Sequence, residues 1–193
     1  MWASVDILNN NEVTKVYTKP TAITYGEVNY PENVMSSWTD LELTTIGVYP
    51  VVEDKTNLEN SYYYINTNET FTFKATYTYD GVDYTNTVIG SWGTATPKSL
   101  DDTTNDDGVV TQGLKSQQIS IANSSAYSTL VPSDWYVVRK ADNGTAIPTN
   151  WDNWRQSVRT TCETYITNVN ACTSVPELEA LGETPTYPPS PST

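Results

Sequence analysis

The sequence predicts an α+β fold, in which a β-rich N-terminal part with one short helix precedes a C-terminal strand–helix–helix module. Polar and apolar residues alternate strictly around residue 75, as in a half-buried strand. Apolar residues recur at intervals of three and four after residue 150, as on one face of an α-helix. An acidic stretch without aromatic residues separates the two regions. The predicted boundaries are 1–93 (β-rich domain), 94–113 (acidic linker or loop), 114–182 (strand–helix module) and 183–193 (Pro-rich tail).

Short strands and one helix are predicted in the first 52 residues. The helix covers residues 37–46, with Ser37 as N-cap, Asp40 as its capping-box partner and Gly47 as the residue that follows the helix. The candidate strands, which are rich in β-branched residues and Tyr, are Val13–Thr18, Ala22–Tyr25 and Gly47–Val52.

A β-hairpin is predicted over residues 71–89. Asp80-Gly81 is a residue pair typical of a type I′ turn, and a two-residue loop fixes the register of the flanking strands. That register pairs Tyr79 with Val82, Tyr77 with Tyr84, Ala75 with Asn86 and Phe73 with Val88. Two interpretations stay open for the aromatic face: the packed side of a sheet, or a surface that stacks sugar rings. Its residues are Tyr77, Tyr79 and Tyr84.

The segments after the hairpin carry weaker signals. Gln117–Ile121 and Asp134–Arg139 are candidate strands. The acidic loop 101–108, DDTTNDDG, is dense in oxygen ligands but lacks the EF-hand order, so the sequence leaves Ca²⁺ binding open. The tail 183–193 contains four Pro, and we expect it to be extended and able to dock on a neighbour.

A long amphipathic helix is the main feature of the C-terminal module. Thr149 and Asp152 form a capping-box-like pair at its start. Ser174 is the candidate N-cap of a second helix, Pro176–Leu181, which Gly182 ends. The apolar stripe of the long helix is either the core of its own domain or the seam of a bundle with other copies. The stripe consists of Trp151, Trp154, Val158, Cys162, Tyr165, Val169 and Cys172.

Composition gives no indication of a cofactor or metal. The chain has no His and two Cys, too few ligands for a structural zinc site. On one continuous helix, Cys162 and Cys172 would lie about 15 Å apart, beyond the reach of a disulfide. We therefore interpret both as small buried residues.

Charge and hydropathy exclude several kinds of partner. The net charge of −13 leaves no basic patch for nucleic acid or an anionic membrane. No apolar run approaches the length of a membrane span, and the first 15 residues do not resemble a signal peptide. We expect no nucleic-acid binding and no membrane insertion.

Catalysis finds little support in the sequence. Without His, the His-based catalytic triads are excluded. The chain contains no GxSxG, no P-loop and no dinucleotide-binding glycine pattern after a strand. Paired carboxylates remain the one catalytic arrangement that the composition allows, although no pair stands out. The sequence therefore favours a protein that is not an enzyme.

Motif residues run through the segment that begins at Leu130. They follow the order "DWY..R", "G..IP..W", "R..VR" and "ELEAL", and comprise Asp134, Trp135, Tyr136, Arg139, Gly144, Ile147, Pro148, Trp151, Arg155, Val158, Arg159, Leu178 and Leu181. This segment resembles the C-terminal module of tail-fibre-associated proteins of tailed bacteriophages, marine ones in particular, with Trp154 in place of the usual Tyr. Residues 38–52 are similar to an "EL…G.YPV" segment near the start of the same proteins. Together the two matches cover about a third of the chain.

The resemblance implies a virion structural protein of the tail, either an adaptor or an attachment subunit of the fibre or baseplate. Its expected partners are other virion proteins and further copies of itself, and its expected location is the tail of a particle assembled in the host cytoplasm. The alternatives are a tail-fibre assembly chaperone, a carbohydrate-binding host-receptor protein and a head decoration protein. The resemblance assigns no catalytic residue.

Overall fold

The computed structural model describes residues 1–192, which form two compact units. The first unit covers Met1–Thr96, and the second begins at Pro97. Strands dominate the first unit and helices the second, which confirms the α+β class. The boundary between the units falls inside the predicted linker, residues 94–113.

The first unit contains eight strands and two short helices before the boundary. They are β1 (Trp2–Asp6), β2 (Glu12–Tyr17), β3 (Ile23–Tyr25), β4 (Val28–Tyr30), α1 (Val34–Ser37), α2 (Asp40–Thr44), β5 (Val48–Asp54), β6 (Tyr64–Ile65), β7 (Thr70–Tyr79) and β8 (Val82–Ser91). A ninth strand, β9 (Thr96–Pro97), lies at the boundary itself.

Five of these strands form one sheet in the order β2-β1-β5-β8-β7. The β5–β8 pair is parallel and the other pairs are antiparallel. The edge strands β2 and β7 approach each other, so the sheet curls. One cluster, with Ala3, Val5, Tyr49 and Val88, packs together with Phe71 and Phe73 of β7. The second cluster packs β3, α1 and α2 against the sheet and contains Tyr17, Ile23, Val34, Met35, Leu43, Ile46 and Val48.

The predicted hairpin is confirmed as β7 and β8. Asp80 and Gly81 have φ values of 50° and 75°, the left-handed conformations that a type I′ turn requires. Tyr79 pairs with Val82 as expected, and the Tyr77–Tyr84 and Phe73–Val88 pairs are also present. The predicted Ala75–Asn86 pair is not in the ladder, and Asn86 adopts a φ of 47°.

The predicted helix over residues 37–46 is wrong in its details. Two short helices, α1 and α2, occupy this region, and Ser37 ends the first of them. The N-cap of α2 is Thr39, which forms a reciprocal capping box with Glu42 rather than with Asp40. Gly47 has a left-handed φ of 71°, but it lies two residues beyond Thr45, the C-cap of α2, and not directly after the helix as predicted. The error arises because Thr39–Glu42 satisfies the same three-residue spacing as Ser37–Asp40.

Helices dominate the second unit, which also contains one small hairpin and a non-helical tail after residue 181. Its elements are β10 (Thr103–Thr104), β11 (Val110–Thr111), α3 (Leu114–Leu130), a 3₁₀ turn (Val131–Ser133), α4 (Asp134–Asn143), α5 (Thr149–Ala171) and α6 (Val175–Ala180). Both strands predicted here are corrected by the structure. Gln117–Ile121 lies within α3, and Asp134–Arg139 forms the first turns of α4.

The two C-terminal helices agree with their predicted positions. The side chain of Ser174 caps α6, and Gly182 follows that helix with a φ of 76°. The start of α5 differs, because Pro148 is its N-cap residue and no side chain caps it. Thr149 is already helical, so the predicted Thr149–Asp152 capping box does not form.

Candidate functional site

The apolar stripe of α5 lies in the interior of the second unit. Its members from Trp154 to Cys172 are buried, whereas Trp151 is only half-buried. The packed face of α3 supplies Leu114, Gln118, Ala122 and Ala126, which are also buried. The hydroxyl of Tyr165 donates to the Gln118 amide oxygen at 3.0 Å. The stripe therefore packs within its own unit, which is the first of the two interpretations raised by the sequence.

The Pro-rich tail packs back on these helices. Trp154 Nε1 donates to the carbonyl of Pro188 at 3.0 Å, and the Tyr187 hydroxyl donates to the carbonyl of Ala122 at 2.9 Å. Burial raises the pKa of Tyr187 to about 12. The expectation of a tail that docks on a neighbour is thus corrected for Tyr187 and Pro188, which bind α3 and α5 of their own unit.

A buried cation joins α5 to the junction between α3 and α4. The guanidinium of Arg155 donates to the carbonyl of Leu130 at 3.2 Å and to the hydroxyl of Ser133. It also forms an ion pair of 2.8 Å with Asp134, the first residue of α4. This cluster fixes the end of α3 and the start of α4 with one side chain. Sequence reasoning did not identify this cluster, because Asp134 and Arg155 appeared there only as motif residues with no role assigned to either.

Aromatic rings continue from this cluster to the surface of α4. The Trp151 ring contacts Trp154 and Tyr136, and Tyr136 contacts Trp135. The guanidinium of Arg139 lies 4.7 Å from the centre of the Trp135 ring, within the range of a cation–π contact. These contacts attach α4 by one side only, and none of its residues is buried.

The helical chain from α3 to α4 leaves large apolar side chains in solvent. Tyr127, Val131, Trp135 and Val138 are each more than two-fifths exposed. They are spaced four, four and three residues apart along a segment that is helical from residue 114 to 143. Residues at these intervals are neighbours on a helix surface. We call these four residues the α3–α4 surface. Sequence reasoning did not identify it, because it assigned a strand to Asp134–Arg139.

The predicted tyrosine surface lies on the β7–β8 hairpin. The Tyr77 hydroxyl donates to the carboxylate of Asp54, and the Tyr79 hydroxyl accepts a hydrogen bond of 3.0 Å from the Lys55 amide. Hydrogen bonds from Thr56 and from Tyr77 hold the pKa of Asp54 below its usual value. Tyr84 instead lines a cleft of about 440 Å³. The polar ends of Tyr77 and Tyr79 therefore fix the hairpin to the end of β5.

The acidic loop is folded by its own oxygen atoms. Asp102 accepts a hydrogen bond of 2.8 Å from the Gly113 amide, and Asn105 accepts from the amides of Asp107 and Val109. Lys115 pairs with Asp101 at 3.2 Å. Across residues 1–192, no group of three or more acidic or Cys side chains is placed to hold a metal ion.

The two Cys residues are small buried residues, as the sequence analysis interpreted them. Cys162 and Cys172 are free and buried, and burial raises the pKa of the Cys172 thiol. In the described part of the chain, no helix combines the length and the apolar character needed to span a membrane.

Comparisons of this chain with protein families, with curated proteins and with solved structures find no match.

Proposed function

We propose that this protein is a non-enzymatic structural subunit of a tailed-phage particle, and that it serves as an adaptor or attachment subunit of the tail fibre or baseplate. The observation that carries the proposal is the α3–α4 surface. Contiguous exposed apolar side chains on a folded unit are typical of protein–protein contact sites. Exposed Trp and Tyr strengthen this interpretation, because both residues are enriched in the centres of protein interfaces.

The resemblance to tail-fibre-associated proteins supports the phage setting. It includes Trp135 on the α3–α4 surface, together with Arg155 and Asp134, whose ion pair orients α4. The motif residues therefore include both a contact residue and the cluster that positions it.

The chemistry of the chain supports a structural role. The chain contains no His, the commonest acid–base residue of active sites. Both Cys residues are buried, and burial raises the pKa of the Cys172 thiol, which makes that thiol a poor nucleophile. A binding role requires no such groups.

Mass spectrometry of purified phage particles tests the proposal. We expect peptides of this protein in gradient-purified particles at a constant ratio to a known tail protein. Washing the particles in high salt should leave the ratio unchanged, because the α3–α4 surface is apolar. Absence of the protein from mature particles, with binding to free fibres in the lysate, would instead identify a tail-fibre assembly chaperone.

A further inference from the structure

We infer that the α3–α4 surface is the contact between two copies of this chain, arranged antiparallel about a two-fold axis at Val131. The inference rests on the proposed function for the role of this surface and names its partner. The α3–α4 surface is distinct from the stripe of α5, which lies inside the unit.

Exposure identifies the residues that need a partner. Tyr127 is 69% exposed, Val131 42%, Trp135 50% and Val138 65%. The two aromatic residues lie four positions before and after Val131. The spacing is therefore nearly symmetric, as a two-fold contact requires, since each residue must meet its equivalent or a complementary neighbour.

The antiparallel arrangement gives each large side chain a suitable counterpart. With Val131 on the axis, Tyr127 of one copy lies opposite Trp135 of the other. Val138 lies opposite Ser124, a small residue on the outer side of α3. Aromatic rings at this distance can form edge-to-face or offset pairs, and a large side chain opposite a small one allows close packing.

The charge distribution along the chain allows a second copy at this surface. The net charge of −13 makes two copies repel each other over most of their surfaces. From Ser116 to Ser133, however, the sequence has no charged residue. Beyond that segment, Asp134 is neutralised by Arg155. Further along α4, Arg139, Lys140 and Asp142 together add one positive charge, which does not repel a second copy of an acidic chain. Charge on this face therefore offers little opposition to a second copy.

The available area predicts the strength of the association. The exposed parts of the four side chains would bury roughly 400 Å² per copy, or about 800 Å² in total, less than the 1,200–2,000 Å² of stable complexes. We therefore expect a reversible dimer that forms at micromolar or higher concentrations.

Sedimentation equilibrium of the full chain tests the dimer. We expect the Val138→Glu variant to raise the dissociation constant by at least about tenfold, because it places a carboxylate among apolar side chains. The matched control is Val110→Glu on β11, where the native side chain is 58% exposed. It adds the same charge to the same unit and should leave dimerisation nearly unchanged. Circular dichroism checks that both variants remain folded.

Cysteine cross-linking tests the two-fold axis. Under a mild oxidant, Val131→Cys should form a covalent dimer on its own, because the axis places the residue beside its equivalent. Ser124→Cys and Val138→Cys should cross-link when the two variants are mixed. Val110→Cys should give no cross-linked dimer.

The outcomes separate this inference from the proposed function. A chain that stays monomeric at all concentrations, or a dimer equally sensitive to both Glu variants, overturns the inference. A dimer that Val131→Cys does not cross-link also overturns it, because the axis is then elsewhere. A monomer found in purified particles leaves the proposed function intact, whereas a dimer absent from particles overturns the proposed function alone.

Discussion

Arg155 is the residue on which the geometry of α4 depends. Its guanidinium binds the carbonyl that ends α3, the hydroxyl of Ser133 and the carboxylate of Asp134. A buried cation is costly unless its donors are satisfied, and here one side chain supplies partners for all three groups. The orientation of α4, and with it the exposure of Trp135, follows from this side chain.

Removal of the Arg155 cation should therefore destabilise the second unit. We expect Arg155→Met to lower the free energy of unfolding by roughly 3 kcal/mol, because Asp134 and two neutral acceptors lose their donor. The Arg159→Met variant, which alters an exposed face of the same helix, should change it by less than about 0.5 kcal/mol. Urea unfolding measures the free energy of unfolding of both variants. Equal losses of stability would show that the Arg155 cluster has no special role.

Glu177 gives the N-terminus of α6 a dependence on pH. Hydrogen bonds from Thr173 hold the pKa of its carboxyl below the ordinary value of 4.5. A lowered pKa in the folded state contributes stability above the unfolded-state pKa, and this contribution disappears as the pH falls through the folded-state value.

The Glu177→Gln variant tests this dependence. We expect a lower melting temperature than that of the native chain at pH 7. The difference should narrow as the pH falls below the ordinary Glu value of 4.5. Thermal unfolding followed by circular dichroism across this range measures the difference. A constant difference at every pH would show that the charge of Glu177 is not involved.

At the scale of elements, the sequence was informative where one pattern dominated. Period-two alternation and Asp80-Gly81 predicted the hairpin with its register. The spacing of large apolar residues predicted α5, and Ser174 with Gly182 predicted α6. In each case, propensity, turn chemistry and tertiary packing agree, which makes local sequence a good guide.

The helices α3 and α4 were missed for separate physical reasons. The buried face of α3 contains Gln118, Ala122 and Ala126, which are polar or small. A search for large apolar residues at helical spacing therefore does not detect this helix. In α4, the run Trp135–Val138 consists of residues with high β-propensity. Tertiary contacts decide its structure, because Arg155 binds its first residue, Asp134, and the ring of Trp151 packs on Tyr136. The α3–α4 surface could not be predicted without both helices.

The stripe of α5 should behave as a core element. We expect Val158→Ala to lower the free energy of unfolding by roughly 2 kcal/mol, because the side chain is fully buried. Val137→Ala on α4 is the matched control and should change it far less, since Ala favours the helix and the native side chain is 40% exposed. Denaturant unfolding of the two variants provides the comparison, and similar values would contradict the assignment of α5 to the core.

At the scale of the whole molecule, the chain consists of two units with separate cores. Each unit has its own apolar clusters or stripe, and the division lies between Thr96 and Pro97. Domains of this kind are expected to fold alone.

Expression of the two halves tests this organisation. We expect the fragment 1–96 to give a strand-rich circular dichroism spectrum and the fragment 97–193 a helical one, each with a cooperative thermal transition. Their summed spectra should reproduce that of the intact chain. Loss of cooperativity in either fragment would show that its core is incomplete.

Both thiols of the protein belong to the second unit: Cys162 lies within α5 and Cys172 is its C-cap residue, and both are buried. A thiol reagent therefore reacts only after a local or complete opening of that unit has exposed them. The rate of labelling under native conditions consequently measures the free energy of the openings that expose these two thiols, without truncation or an introduced probe. The native thiols thus serve as a built-in probe, because their alkylation rate reports how often this part of the second unit opens.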